Sequence, residues 1–259
     1  MIDRKIKYVN KFYNNFGWEK KNKHTLDATL FEDLRNYSKE YISKCRKRIN
    51  NYIPRKGSNL LDFASGPIQY KEYLEYSKNF KFRHCLDFSK LAIKNAKLKL
   101  GKRGKYYCGD FFKIKLKKNY FDCIISLHTI YHIDKKLQAT AVKKLINISK
   151  KNSPIIIVYS NPNTILNKLR KLIFYKKKRK NKTNLYFFCH PINWWYQFEK
   201  KANVQIKPWR SFSSDHQKKL FPDNYIGKTL LYFLFYLEEK FQKFFIKNFQ
   251  YYTVIIKKK

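Results

Sequence analysis

The stretch from Asn59 to Tyr70, NLLDFASGPIQY, decides the fold. Leu60 and Leu61 run into Asp62, and a compact turn follows, Ala64-Ser65-Gly66-Pro67. A strand that delivers an acid into a tight turn containing glycine lets the backbone approach a ligand closely at the strand's carboxyl end. A nucleotide-binding loop usually carries glycine where Ala64 stands, so the rest of the chain must decide what the turn holds.

Outward from this segment, strands are predicted over Asn59–Phe63, Phe82–Asp87, Tyr106–Cys108, Phe121–Leu127 and Pro154–Tyr159. Helical spacing fills most of the gaps. Ser89 is placed to cap KLAIKNAKLKL and Gly101 to close it, and KKLQATAVKKLINISKK forms a second helix. Strands alternating with helices imply an α/β, doubly wound, mostly parallel sheet. After Ser160 the pattern loosens. Residues 161–190 read as an insertion after the fifth strand, followed by a helix near NWWYQFEKKA, a strand at VQIKPW, an amphipathic helix over 226–247 and a closing strand, YYTVIIKK. Upstream, apolar residues from Leu30 to Ile49 recur at helical spacing and predict one amphipathic helix over 25–50. The expected organisation is an N-terminal helical extension or lid (1–56), a ligand-binding core (57–160), and the insertion with the last helices and strands of the same domain (161–259).

The chain has 259 residues and a formal net charge of +40. Such a charge invites a polyanion partner, nucleic acid or anionic membrane. Residues 1–56, 57–160 and 161–259 carry +9, +14 and +17, so no third of the chain concentrates it. The joint enrichment of Lys, Asn, Ile, Tyr and Phe, with only 7 Gly, fits AT-rich coding better than a dedicated binding face. The tract Lys176–Lys182 is expected to be a solvated loop. Five cysteines without a CxxC pair make zinc an unexpected partner; with no leader recognised, they favour a reducing cytoplasm. The longest apolar run, Leu230–Leu237, is too short to span a membrane.

The predicted strand ends carry a consistent set of groups. The first ends in Asp62 and the Gly66 turn. The second ends in Asp87, which suits both hydroxyls of a ribose because a carboxylate accepts two hydrogen bonds at once. The third ends in Gly109-Asp110, an acid placed to accept from an adenine amino group, and the fourth in Ser126-Leu127-His128. In SLHTIYHID, His128 and His132 flank Tyr131, and any of the three is a candidate for proton transfer. Acceptor contacts are expected outside the core, from Tyr13, Trp18 and His24 before the N-terminal helix and from His190, Trp194 and Arg210 after the fifth strand.

On LLDFASGPIQY, HCLDFSKLAIKNAK, YYCGDFF and FDCIISLHTIYHID, the chain resembles class I S-adenosylmethionine-dependent methyltransferases, in particular bacterial ones of small-molecule or surface-glycan type. The resemblance covers roughly residues 57–160 and implies a Rossmann-like, seven-stranded sheet. It further implies that Asp62, Ala64, Ser65, Gly66 and Pro67 hold the methionine part and that Asp87, with Phe88 beside it, holds the ribose. Asp110 and Phe111 would hold the adenine, and Ser126 and His128 would complete the cofactor site. The cofactor would be S-adenosyl-L-methionine and its product S-adenosyl-L-homocysteine. Ala64 and Pro67 depart from G-x-G-x-x-G, which argues against a pyrophosphate-binding loop. RNA methylation by way of the basic surface is the second enzyme reading, although no NPPY-type signature follows the fourth strand. A non-catalytic binding protein of the same fold is the third. Peripheral contact with anionic membrane stays open.

Overall fold

The computed structural model describes residues 9, 11–21, 24–173 and 185–259. A π-helical turn (Tyr13–Gly17) leads into a short hairpin, β1 (Lys20–Lys21) with β2 (His24–Thr25), and then α1 (Leu26–Phe31) and α2 (Lys39–Lys47). The sheet strands are β3 (Gly57–Phe63), β4 (Phe80–Asp87), β5 (Gly104–Cys108), β6 (Cys123–Leu127), β7 (Pro154–Ser160), β8 (Ala202–Arg210) and β9 (Tyr251–Lys258). Between them lie α3 (Lys71–Glu75), α4 (Lys90–Leu100), α5 (Lys135–Ile148), α6 (Ile165–Ile173), α7 (Ser214–Leu220), α8 (Tyr225–Lys240) and α9 (Gln242–Asn248).

The seven strands are ordered β5-β4-β3-β6-β7-β9-β8. The first five are parallel, and β9 enters antiparallel between β7 and β8. Strand order reverses on leaving β3, toward β4 on one side and β6 on the other. That reversal opens a crevice at the carboxyl ends of β3 and β6, where ligands of open α/β sheets bind. β7 is buried throughout, as its continuous apolar run requires of a strand covered on both faces. One face packs against Val142, Leu145 and Trp195, the other against Ile49, Tyr76 and Trp209.

Ser89 caps α4 by accepting from the Ala92 amide, and Gly101 follows the helix with φ +52°. The predicted helix over 25–50 is instead broken at Glu32, whose backbone is extended (φ −112°, ψ 152°). The cause is Asp33. Its carboxylate accepts from the Arg35 amide (3.3 Å), Arg35 Nε (2.8 Å), Ser38 Oγ (2.8 Å) and Gln217 Nε2 (2.9 Å), offering the chain polar bonds that a helix would forgo. The predicted helix over 226–247 is likewise two helices, parted at Phe241 (φ −111°, ψ 46°). NWWYQF forms a 3-10 segment, Ile192–Phe198, that turns Trp195 and Phe198 into the core. The basic tract Lys176–Lys182 lies outside the described residues.

Candidate functional site

The NLLDFASGPIQY segment builds a loop with three left-handed residues at alternate positions: Ala64 (φ 55°), Gly66 (φ 54°) and Ile68 (φ 51°). The Ala64 and Ser65 amides both donate to the Leu86 carbonyl, at 2.8 and 3.2 Å, which ties the loop to the end of β4. Asp87 completes the tie. Its Oδ2 accepts from the Gly66 amide (2.9 Å) and its Oδ1 from the Ser89 amide (2.8 Å). Burial pushes the Asp87 carboxyl up to about 6, against the pull of those amides. Two amides use half of what a carboxylate can accept, so Asp87 retains capacity for a pair of hydroxyls.

Asp62 is placed differently from the other strand-end acids. Its carboxylate is held by the Arg83 guanidinium, with both side chains buried. Asp62 thus anchors the strand beneath the loop. Asp110 turns back on its own segment, accepting from the Phe112 amide at 2.9 Å. Phe111 is packed on Phe63, with ring centroids 4.2 Å apart, in the main core. Phe88 is half-buried beside Asp87, and Pro67 and Ser65 are buried in the loop.

Ser126, at the end of β6, is fully buried, and its Oγ has no hydrogen-bond partner among the described residues. Two residues on, His128 adopts φ +60° and swings its ring into an aromatic corner, 4.5 Å from Trp209 and 5.2 Å from Tyr251. His128 Nδ1 and Tyr131 Oη share a 2.9 Å hydrogen bond. Burial and the nearby Arg210 and Arg46 charges depress the His128 pKa well below the usual imidazole range, so the ring is neutral. Burial also holds Tyr131 protonated. His132 Nδ1 lies 2.8 Å from the Tyr186 carbonyl, which can only accept; Nδ1 therefore carries the proton and Nε2 the free lone pair.

The N-terminal segment covers this crevice. Trp18 lies over the loop, and a Cβ added at Gly66 would meet its ring at 3.1 Å. Tyr13 stacks on Trp18 (4.8 Å), accepts from Ser89 Oγ through its carbonyl (3.2 Å), and donates its hydroxyl to Asp27 Oδ1 (3.3 Å). Asp27 is pushed up to about 7 by burial and by Glu32. Tyr13 and Arg210 both come close enough to Tyr131 to influence its hydroxyl. The structure thus places Tyr13 and Trp18 over the loop that Asp87 ties, and His128 with Tyr131 and Arg210 around the aromatic corner beyond β6, two residues after Ser126. His24 sits exposed on the β1–β2 hairpin. His190 and Trp194 stack on each other at 4.3 Å beside Trp195, and this group reaches Tyr131 through Tyr159.

Sequence reasoning passed over Asp27, Glu32 and Arg46. Arg46 carried a legible signal, since it stands four residues after Ile42 on the apolar stripe of α2. A charge on a buried stripe is informative. Glu32 carried none, because its position depends on the break at Asp33. Among the described residues no group of three or more His, Cys, Asp or Glu side chains is placed to hold a metal ion.

The residues fit an adenosyl ligand on two observations. Asp87 keeps two acceptor positions at the end of β4, and Ser126 Oγ at the end of β6 and Trp18 Nε1 over the Gly66 loop are buried with no partner among the described residues.

Residues 61–157 match a family model described as "Methyltransferase domain". No curated protein is significantly similar in sequence. Among solved structures, the chain is similar to magnesium protoporphyrin IX methyltransferase from Synechocystis PCC 6803 with bound SAH (TM-score 0.61, 9% identity, 97% of this chain and 99% of that one). It is also similar to DhpI, in a complex titled DhpI-SAM-HEP (TM-score 0.58, 9% identity, 98% and 96% covered). A SAM-dependent methyltransferase from Archaeoglobus fulgidus matches with a TM-score of 0.54 at 19% identity, covering 85% and 95%. Residues 61–157 therefore carry a methyltransferase domain, and the chain shares its fold with S-adenosylmethionine-dependent methyltransferases.

Proposed function

We propose that the protein transfers a methyl group from S-adenosylmethionine to a small-molecule or glycan-linked acceptor. The observation that carries this reading is the cover over the strand ends. Trp18 and Tyr13 of the N-terminal segment lie over the Gly66 loop, and His128, Trp209 and Tyr251 form an aromatic corner just beyond β6. Strand ends covered in that way suit a small acceptor group better than a polymer backbone.

The cofactor, when bound, supplies an electrophilic methyl carbon on a sulfonium, so the protein's task is alignment and exclusion of water. In this reading the Gly66 loop seats the methionine end, Asp87 holds the ribose hydroxyls, and Asp110 faces the adenine edge. Trp18 closes the loop against solvent. If the acceptor atom carries a proton, His132 Nε2 is the acceptor for it, with Nδ1–H fixed by the Tyr186 carbonyl. His128 and Tyr131 stay neutral and position the acceptor through their shared hydrogen bond.

Isothermal titration with S-adenosylmethionine and S-adenosylhomocysteine tests the cofactor assignment. Binding to the unaltered chain and its loss in Asp87→Ala support it. No binding to either protein favours a non-catalytic member of the fold.

A second reading concerns where the acceptor is met. Tyr225, Ile226, Leu230, Phe233, Tyr236 and Phe244 project from α8 and α9 into solvent. The two acids of α8, Glu238 and Glu239, are both tied to Arg48, and Lys240, Lys243 and Lys247 make no ion pair among the described residues. Aromatic side chains interleaved with lysine suit an anionic membrane surface, where apolar burial and lipid charge act together.

A further inference from the structure

Two arginines from distant parts of the chain converge beside the crevice. Arg46 comes from α2 and Arg210 from the end of β8, and both are buried, at 7% and 3% exposure. They share one carboxylate. Glu32 offers Oε1 to Arg46 Nη2 (3.5 Å) and Oε2 to Arg210 Nη1 (3.1 Å). Glu32 reaches them because the helix breaks at that residue, and the break is imposed by Asp33.

This arrangement is poor by the standards of a structural clamp. Among the described residues Arg210 gives Glu32 one hydrogen bond, from Nη1, and Arg46 gives it an ion-pair contact without one, where a two-pronged fork on a carboxylate is the strong geometry. The Nε of Arg46 and the Nε of Arg210 have no hydrogen-bond partner among the described residues, and neither does the nearby Tyr70 hydroxyl or the Trp209 indole N–H. Buried donors left unpaired are destabilising. Arg46 lies flat on Tyr70, 3.3 Å from the ring centroid, and Arg210 lies near Trp209 and Tyr251 at 5.1 and 5.4 Å. Those last two rings also hold His128, so the arginine pair adjoins the reacting end of the crevice.

Charge points the same way. Arg46 also faces Glu72, at 3.8 Å. Without Glu32, two guanidiniums and Glu72 leave one unmatched positive charge in a buried place. A single negative charge from outside completes it.

Resting on the methyltransferase reading, we propose that Arg46 and Arg210 bind an oxyanion of the methyl acceptor, a carboxylate or a phosphate, and that Glu32 occupies this position until the acceptor displaces it. The side chain of Glu32 is free for that role. Only its backbone amide closes α1, by donating to the Ala28 carbonyl at 2.9 Å. The acceptor's oxyanion would engage the two Nε groups as well as the Nη groups.

The test uses the full chain and two probes, inorganic phosphate and acetate, titrated calorimetrically at fixed ionic strength. Glu32→Gln should bind at least one of them roughly tenfold more tightly than the unaltered chain. Glu32→Gln combined with Arg210→Gln should lose that gain. Phosphate alone or acetate alone tells which oxyanion the site prefers, and either supports the proposal. No gain in Glu32→Gln, or a gain that survives Arg210→Gln, overturns it and leaves the three residues as a clamp on the N-terminal segment. S-adenosylmethionine affinity is measured on the same samples. If it is absent throughout while the phosphate gain persists, the methyltransferase reading fails and the oxyanion site stands. If Glu32→Gln does not fold, Glu32→Ala replaces it. Should both fail, millimolar phosphate must raise the melting temperature of the unaltered chain above that in chloride, below the range of salt-exclusion effects. Equal melting temperatures then overturn the proposal.

Discussion

At the scale of single residues, the carboxylate of Asp87 is the group on which the proposed cofactor binding turns. Removing it in Asp87→Ala takes away two hydrogen bonds to a charged acceptor, and a loss of roughly 3 kcal/mol, about 100-fold in S-adenosylmethionine affinity, is expected by calorimetry. The same side chain sets a pH dependence. Its pKa is raised from 3.8 to about 6, so the cofactor-free protein prefers the protonated acid below that pH. Ribose hydroxyls need the ionised form. Binding therefore expels a proton below pH ~6, and affinity should weaken by about tenfold per unit as pH falls further. Asp87→Asn flattens this dependence, which separates it from any titration of Asp27. A retained slope in Asp87→Asn would assign the proton elsewhere. His132→Ala should lower turnover about 100-fold or more while leaving cofactor affinity nearly intact; unchanged turnover removes it as the proton acceptor. Ala64, the residue that first argued against a cofactor loop, takes φ +55°. A side chain there is held in a region that glycine enters freely, so Ala64→Gly should raise the melting temperature by roughly 2–4 °C.

At the scale of elements, the strands were legible because burial on both faces writes a continuous apolar run, as in Pro154–Ser160, and because Ser89 and Gly101 are local signals of where a helix starts and stops. Five parallel strands and the strand-end position of Asp87 follow from that, whereas the order of the strands in the sheet is set by pairings the local runs do not encode. The N-terminal extension was not legible in the same way. Apolar spacing from Leu30 to Ile49 favours one helix, yet a single carboxylate, Asp33, outbids it through partners that include Gln217, 184 residues away. Long-range competition of this kind leaves no mark in a local window. Asp33→Ala should thus let residues 32–38 approach helix while stranding Arg35 and Gln217. The expected loss is about 2–4 kcal/mol of stability, read in urea melts, with a gain in far-ultraviolet helix signal relative to the folded baseline. A variant as stable as the parent would show that apolar contacts alone shape the extension. Asp62 carries a related lesson. Its place in the turn was readable, but its pairing with Arg83 was not, since Arg83 lies on the neighbouring strand.

At the scale of the whole molecule, the +40 charge and the exposed aromatic face of α8 and α9 make separate forecasts. Co-sedimentation with phosphatidylserine vesicles should exceed that with neutral vesicles and drop in Phe233→Ser/Tyr236→Ser. Equal recovery on both vesicle types would remove the membrane reading. Binding to RNA, if it occurs, should fall steeply with salt as phosphate contacts are lost, and binding indifferent to salt would exclude a backbone-tracking mode. No helix among the described residues is long and apolar enough to cross a membrane. The placement of Trp18 over Gly66 also has a kinetic meaning. One stretch of chain, from Tyr13 to Glu32, touches the cofactor loop at one end and the arginine pair at the other. On the proposed function, cofactor and acceptor are expected to enter and leave in a fixed sequence, with the departure of spent cofactor waiting for that stretch to lift. Turnover then follows solvent viscosity, and S-adenosylhomocysteine competes with the cofactor but not with the acceptor.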